Sequence, residues 1–90
     1  MRERMTPDRA ETIALNGLAF LASRQDHFDR FVLGAGLEPS ALRAQASDAG
    51  FLQAVVDFLL KDDILLMDFC REQELEARDI HLTHHVLGGP

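Results

Sequence analysis

The sequence predicts an all-α protein: one compact bundle of about six short helices formed by residues 1–90. Three observations carry that expectation. Apolar residues recur at helical spacing along most of the chain. Thr, Ser and Asp precede these stretches and Gly follows several of them, as helix caps do. No segment alternates polar and apolar with period two over a useful length, so no strand is expected.

The first helix starts at Thr6, a good N-cap, with Pro7 at the first helical position and Asp8 and Glu11 complementing the dipole. Leu15, Leu18, Ala19 and Ala22 fall at i, i+3, i+4 and i+7 and predict its buried stripe. Ser23 or Asp26 can cap a second helix with Phe28, Phe31 and Val32 on its apolar face. Gly34 and Gly36 end it, and Leu37 is the apolar partner expected beyond such a stop. Pro39 opens a short third helix to about Ala46.

Ser47 is the expected cap of a fourth helix, "DAGFLQAVVDFLLK" over 48–61. Only Gln53, Asp57 and Lys61 interrupt its apolar residues, and these stand four apart on one narrow stripe. A helix apolar nearly all round belongs at the centre of a bundle. Asp62 or Asp63 caps a fifth helix whose apolar residues are Ile64, Leu65, Leu66, Phe69 and Cys70. A turn near Glu74 leads to a sixth helix over about Ala77–Leu87, stopped by "GGP".

A shift of 38 residues lays 20–42 on 58–80 without a gap. Phe20/Phe58, Leu21/Leu59, Phe31/Phe69, Leu37/Leu75 and Glu38/Glu76 then coincide. This raises a duplicated three-helix unit; two copies are too few for a solenoid and would form one pseudo-symmetric bundle.

Ninety residues make one domain, long enough to bury roughly 60–70% of the unfolded chain's surface without staples. Residues 1–6 read as disordered. A single cysteine, Cys70, excludes an internal disulfide and fits a reducing compartment. The charged start, "MRERMTPDRAE", has no apolar core of a signal peptide. The longest apolar run, "LAFLA", is far below the ~20 residues of a membrane span. These features predict a cytoplasmic protein without a membrane partner. The net charge is −6, and all of it falls on residues 48–90, where nine acidic side chains face Lys61, Arg71 and Arg78. That half repels phosphate and could attract a basic partner.

"GLEPSAL" (36–42) has the glycine and proline of a helix-turn-helix, with 27–35 as supporting helix and 39–46 as reader. Only Ser40, Arg43 and Gln45 of that reader could reach base edges, and Arg43 and Gln45 do not share a face. The segment 27–46 has about zero net charge and the chain has one lysine, which argues against nucleic acid. A tight helix–helix corner uses the same residues. His81 and His85 of "HLTHH" have i,i+4 metal-ligand spacing, but Asp79 and Glu76 are poorly placed as a third ligand, so no metal site is assigned. Cys70 reads as a buried, inert thiol rather than a nucleophile. Adjacent Asp62 and Asp63 point apart on a helix and read as cap and neighbour, not as a catalytic pair.

"ALNGLAFLA", "RFVLGAGLEPSALR", "FLQAVVDFLL" followed by "DDILLMDFC", and the closing "LGG" together resemble a family of short uncharacterised alphaproteobacterial proteins, a domain of unknown function. The resemblance covers about residue 10 to the end. It implies a bacterial, stand-alone, all-helical protein and brings no activity, cofactor or functional residue. The sequence as a whole therefore predicts a small non-catalytic protein-interaction domain, with a homodimer as one form; the alternatives are a helix-turn-helix-like nucleic-acid-binding protein using residues 27–46 and, behind it, a metal-binding or thiol enzyme. The expected contact surface is Asp62, Asp63, Asp68 and Glu72, facing a basic protein; no catalytic residue, cofactor or metal is expected.

Overall fold

The computed structural model describes residues 5–36, 38, 42–45 and 48–88. Among them the chain forms five helices of eleven or more residues: α1 (Pro7–Ala22), α2 (Gln25–Ala35), α4 (Ala49–Leu60), α5 (Asp63–Gln73) and α6 (Ala77–Leu87). Between α2 and α4 lies a single helical turn, α3 (Leu42–Gln45). The described residues contain no strand. The radius of gyration, 12.4 Å, equals that of a close-packed chain of this length, about 12 Å.

Helices α1, α4 and α6 pack on one another and form the core. The fully buried residues of α4, Phe51, Leu52, Val55, Val56 and Leu59, occupy one arc of about 140°, and Gln53, Ala54, Asp57, Phe58 and Leu60 on the rest of its circumference are half-buried, as suits the central helix. The closest approach is at Gly17 of α1: a Cβ there would sit 3.1 Å from a Leu59 methyl and 3.4 Å from Val55. Helix α2 lies against α1 and α4, and α5 against α4 and α6. Two aromatic contacts tie these outer helices down: Phe31 of α2 against Phe58 of α4, 5.5 Å between ring centres, and Phe69 of α5 against Phe20 of α1, 5.2 Å. Both are edge-on, the favoured geometry for ring quadrupoles.

The buried stripe of α1 is not the one expected. Ala10, Ile13, Ala14, Gly17 and Leu21 are buried, whereas Leu15, Ala19 and Ala22 are exposed and Leu18 is half-buried. Glycine and alanine let α4 come close on their side, and that approach decides which face turns inward. The caps also differ in detail. Ser23 ends α1 rather than capping α2, which begins after Arg24 without a side-chain cap. Asp48 caps α4, accepting the Phe51 N–H at 2.9 Å; the expected cap, Ser47, lies outside the described residues, as do Leu37, Pro39 and the side chain of Leu42. Thr6 caps α1 as expected, and Asp62 caps α5 through the Leu65 N–H. Met5 packs against the core cluster; residues 1–4 lie outside the described set.

Helix boundaries repeat with the 38-residue shift. α1 and α4 end at 22 and 60; α2 and α5 run 25–35 and 63–73. Gly36 and Glu74, at the ends of α2 and α5, both adopt the left-handed conformation, with φ of 67° and 55°. That conformation is free for glycine but costs an L-residue about 1–2 kcal/mol. Glu74→Gly should therefore stabilise the fold by roughly 0.5–1 kcal/mol once the extra freedom of glycine in the unfolded chain is deducted. The urea midpoint measures this; an unchanged or lower midpoint would show that the Glu74 cap is not strained.

Candidate functional site

Two surface features combine chemistry that packing does not require. The first is the outer face of α5. Leu65, Leu66 and Phe69 turn inward, so Ile64, Met67 and Arg71 face directly away from the core. Ile64 is 75% and Met67 61% exposed. Ile64, one of the apolar residues of this helix, turns outward. Leu65 and Leu66 already fill the inward arc, and Ile64 sits about 100° round from Leu65.

Around this face the four expected carboxylates have different roles. Asp62 is occupied as the N-cap, its Oδ1 3.1 Å from the Leu65 nitrogen. Glu72 accepts from Arg24 of α1's end at 3.1 Å, and the Arg24 guanidinium stacks 4.0 Å above the Phe20 ring. Asp63 stands exposed in the first turn. Asp68 lies half-exposed beside Arg71, 3.4 Å away. Asp63 and Asp68 therefore flank Ile64 and Met67, while Asp62 is taken up as the cap of α5 and Glu72 by Arg24.

The second feature grows from the polar stripe of α4. Gln53, Asp57 and Lys61 turn toward the clefts on either side of the helix. Between α4 and α2 a cavity of about 240 Å³ is lined by Phe31 and Phe58, by the small residues Gly34, Ala35 and Ala54, and by Arg30, Asp57 and Lys61. Between α4 and α6 a second depression shares Ala54 and Asp57 and adds Gly50, Gln53 and His84. Asp57 binds both sides: Lys61 Nζ is 2.8 Å from one oxygen and His84 Nε2 3.5 Å from the other. The Gln53 amide donates to the His84 carbonyl at 3.3 Å, close against the backbone of Gly88. A Cβ at Gly88 would come within 2.5 Å of that amide, so Gly88 of the "LGG" ending lets the Gln53 side chain lie against the end of α6.

The remaining candidates are placed as follows. His81 and His85 are exposed, and among the described residues no three His, Cys, Asp or Glu side chains gather to hold a metal ion. Cys70 is half-buried; burial, with a smaller push from Asp79, raises its thiol above the ordinary range, so it stays protonated at neutral pH. In the helix-turn-helix segment, Arg30 Nη2 lies 2.7 Å from His27 Nδ1. Residues 39–41 and the Arg43 side chain lie outside the described residues.

A family model matches residues 7–90, taking in every helix of the bundle. The chain belongs to DUF3572, described as a protein of unknown function. No curated protein and no solved structure matches it. Both the α5 face and the α4 clefts lie within the DUF3572 region. No described helix is long and apolar enough to cross a membrane.

Gly34 bears on the first cavity directly. It lies inside α2, and a Cβ there would meet nothing within 4 Å. Glycine in a helix interior costs about 1 kcal/mol relative to alanine. Gly34→Ala should raise stability by about that amount in urea denaturation; a loss would reveal a packing role for the bare backbone.

Proposed function

We propose that this DUF3572 protein is a non-catalytic interaction domain whose contact surface is the outer face of α5. The observation that carries the reading is the outward placement of Ile64 and Met67, two large apolar side chains pointing away from a core that is otherwise well filled. Adjacent exposed apolar residues with a polar rim are the usual anchors of a docking surface. Asp63 and Asp68 flank them, and residues 48–90 carry all of the −6 charge, which favours a basic amphipathic partner. The raised thiol of Cys70 is the opposite of what a nucleophile needs and supports the non-catalytic part.

The architecture we infer is a duplicated three-helix unit. The shared bounds of α2 and α5, their left-handed ends and the paired Phe31–Phe58 and Phe69–Phe20 contacts support it. The third member differs between halves: a full helix, α6, against the single turn α3.

Ile64→Glu with Met67→Glu should leave stability within about 0.5 kcal/mol, since both side chains are exposed. The double variant should fail to retain the basic protein that the wild type captures at low salt from nuclease-treated lysate. Capture unchanged by the double variant would refute the α5 surface. Capture that requires intact nucleic acid would favour residues 27–46 instead. A dimer seen by sedimentation, dissolved by the same double variant, would make the partner a second copy of the chain.

A further inference from the structure

We infer that the cavity between α2 and α4 is a binding site for a small organic carboxylate with an apolar body. This goes beyond the α5 surface and uses none of its residues. It rests on the duplicated architecture inferred above, in which positions 38 apart occupy equivalent places at the two crossings.

Where α5 crosses α1, the edge-on pair Phe69–Phe20 is closed over by polar side chains. Asn16 donates to Gln73 at 3.2 Å, and Glu72 holds Arg24 at 3.1 Å. Where α2 crosses α4, the corresponding pair, Phe31–Phe58, is present in nearly the same geometry. The closing residues are not. Asn16, Gln73 and Glu72 correspond to Ala54, Ala35 and Gly34. The result is the 240 Å³ cavity. No crowding at Gly34 demands glycine, so the space is not a by-product of tight packing.

Charge changes at the same positions. Arg30 stands where the closed crossing has Asp68, Lys61 where it has Ser23, and Asp57 where it has Ala19. Two cations and one carboxylate leave a single positive charge on the lining, which balances a monoanion. Arg30 Nη2 is 2.7 Å from His27 Nδ1, and the remaining N–H groups of the guanidinium can donate to a carboxylate; Lys61, held by Asp57 at 2.8 Å, offers a second donor. Phe31, Phe58 and Ala54 receive the apolar body. The volume is below the 300–1,000 Å³ usual for drug-sized ligands, so one ring or a short chain is the fitting size.

The test is ¹H–¹⁵N NMR of the whole chain titrated with sodium benzoate, benzyl alcohol and inorganic phosphate. Benzoate should give saturable shifts at the amides of 30–35 and 54–61, with a Kd on the order of 1 mM. Benzyl alcohol and phosphate should each bind at least about tenfold more weakly. Arg30→Gln should weaken benzoate about fivefold or more. The triple variant Gly34→Glu, Ala35→Gln, Ala54→Asn, which installs the closing residues, should abolish the shifts. Benzoate shifts that are absent, scattered, or matched by phosphate at equal affinity would overturn the inference. So would undiminished binding by Arg30→Gln, which decides the matter if the triple variant does not fold.

Discussion

The closeness of α1 to α4 at Gly17 is the constraint on which the rest of the bundle depends. α4 is apolar over most of its circumference, so it is satisfied only when helices cover it on several sides. Gly17 lets α1 lie against Leu59 and Val55 with no side chain between, and Ala10 and Ala14 continue the same small-residue side of α1. With α1 that near, α6 closes the third side, and Ile80 and Thr83 become fully buried. The Thr83 hydroxyl meets its hydrogen-bonding need inside its own helix, donating to the Asp79 carbonyl at 2.8 Å. What is left of α4 is the Gln53–Asp57–Lys61 stripe, and the clefts open along it.

The two outer helices are attached by different sets of contacts. α5 is clasped to α1 by an aromatic contact, an ion pair stacked on a ring and a side-chain amide bond. Those polar contacts are part-exposed, so each adds little by itself; their effect is to shut the crossing. α2 has its own aromatic contact with α4, and among the described residues no ion pair or side-chain amide bond joins the two helices. One crossing has been finished as structure and the other left open, and the open one carries the cations.

Much of this was legible in the sequence. The helix order, the central 48–61 helix, the Thr6 cap, a cap at Asp62 or Asp63 and a turn near Glu74 follow from local chemistry, which a sequence displays directly; the left-handed conformation of Glu74 does not, since glutamate has no preference for it. So does the α4 stripe, because its spacing is regular. The side of α1 that faces inward was not legible: Leu15, Leu18, Ala19 and Ala22 make one apolar stripe and Ile13, Phe20 and Leu21 with Ala10 and Ala14 make another, and only packing selects the second, the side on which Gly17 admits α4. The side that Ile64 takes was not legible either, because the unbroken run Ile64-Leu65-Leu66-Met67 has no visible inside until Phe69 fixes the arc. The cavity was invisible because it is made of residues from α2 and α4 that are small, and absent volume leaves no motif. The sign available was the 38-residue alignment read for its differences, with Gly34, Ala35 and Ala54 opposite Glu72, Gln73 and Asn16.

Native-state hydrogen exchange tests the central claim most directly. If α1, α4 and α6 form the core through the Gly17 approach, the amides of Val55, Val56 and Leu59 and those of α1 facing them should exchange only by global unfolding. The amides of α2 and α5, which cover that core from outside, should open at a lower free energy. Protection in α2 or α5 equal to that of α4 would contradict the account and place the cooperative core elsewhere.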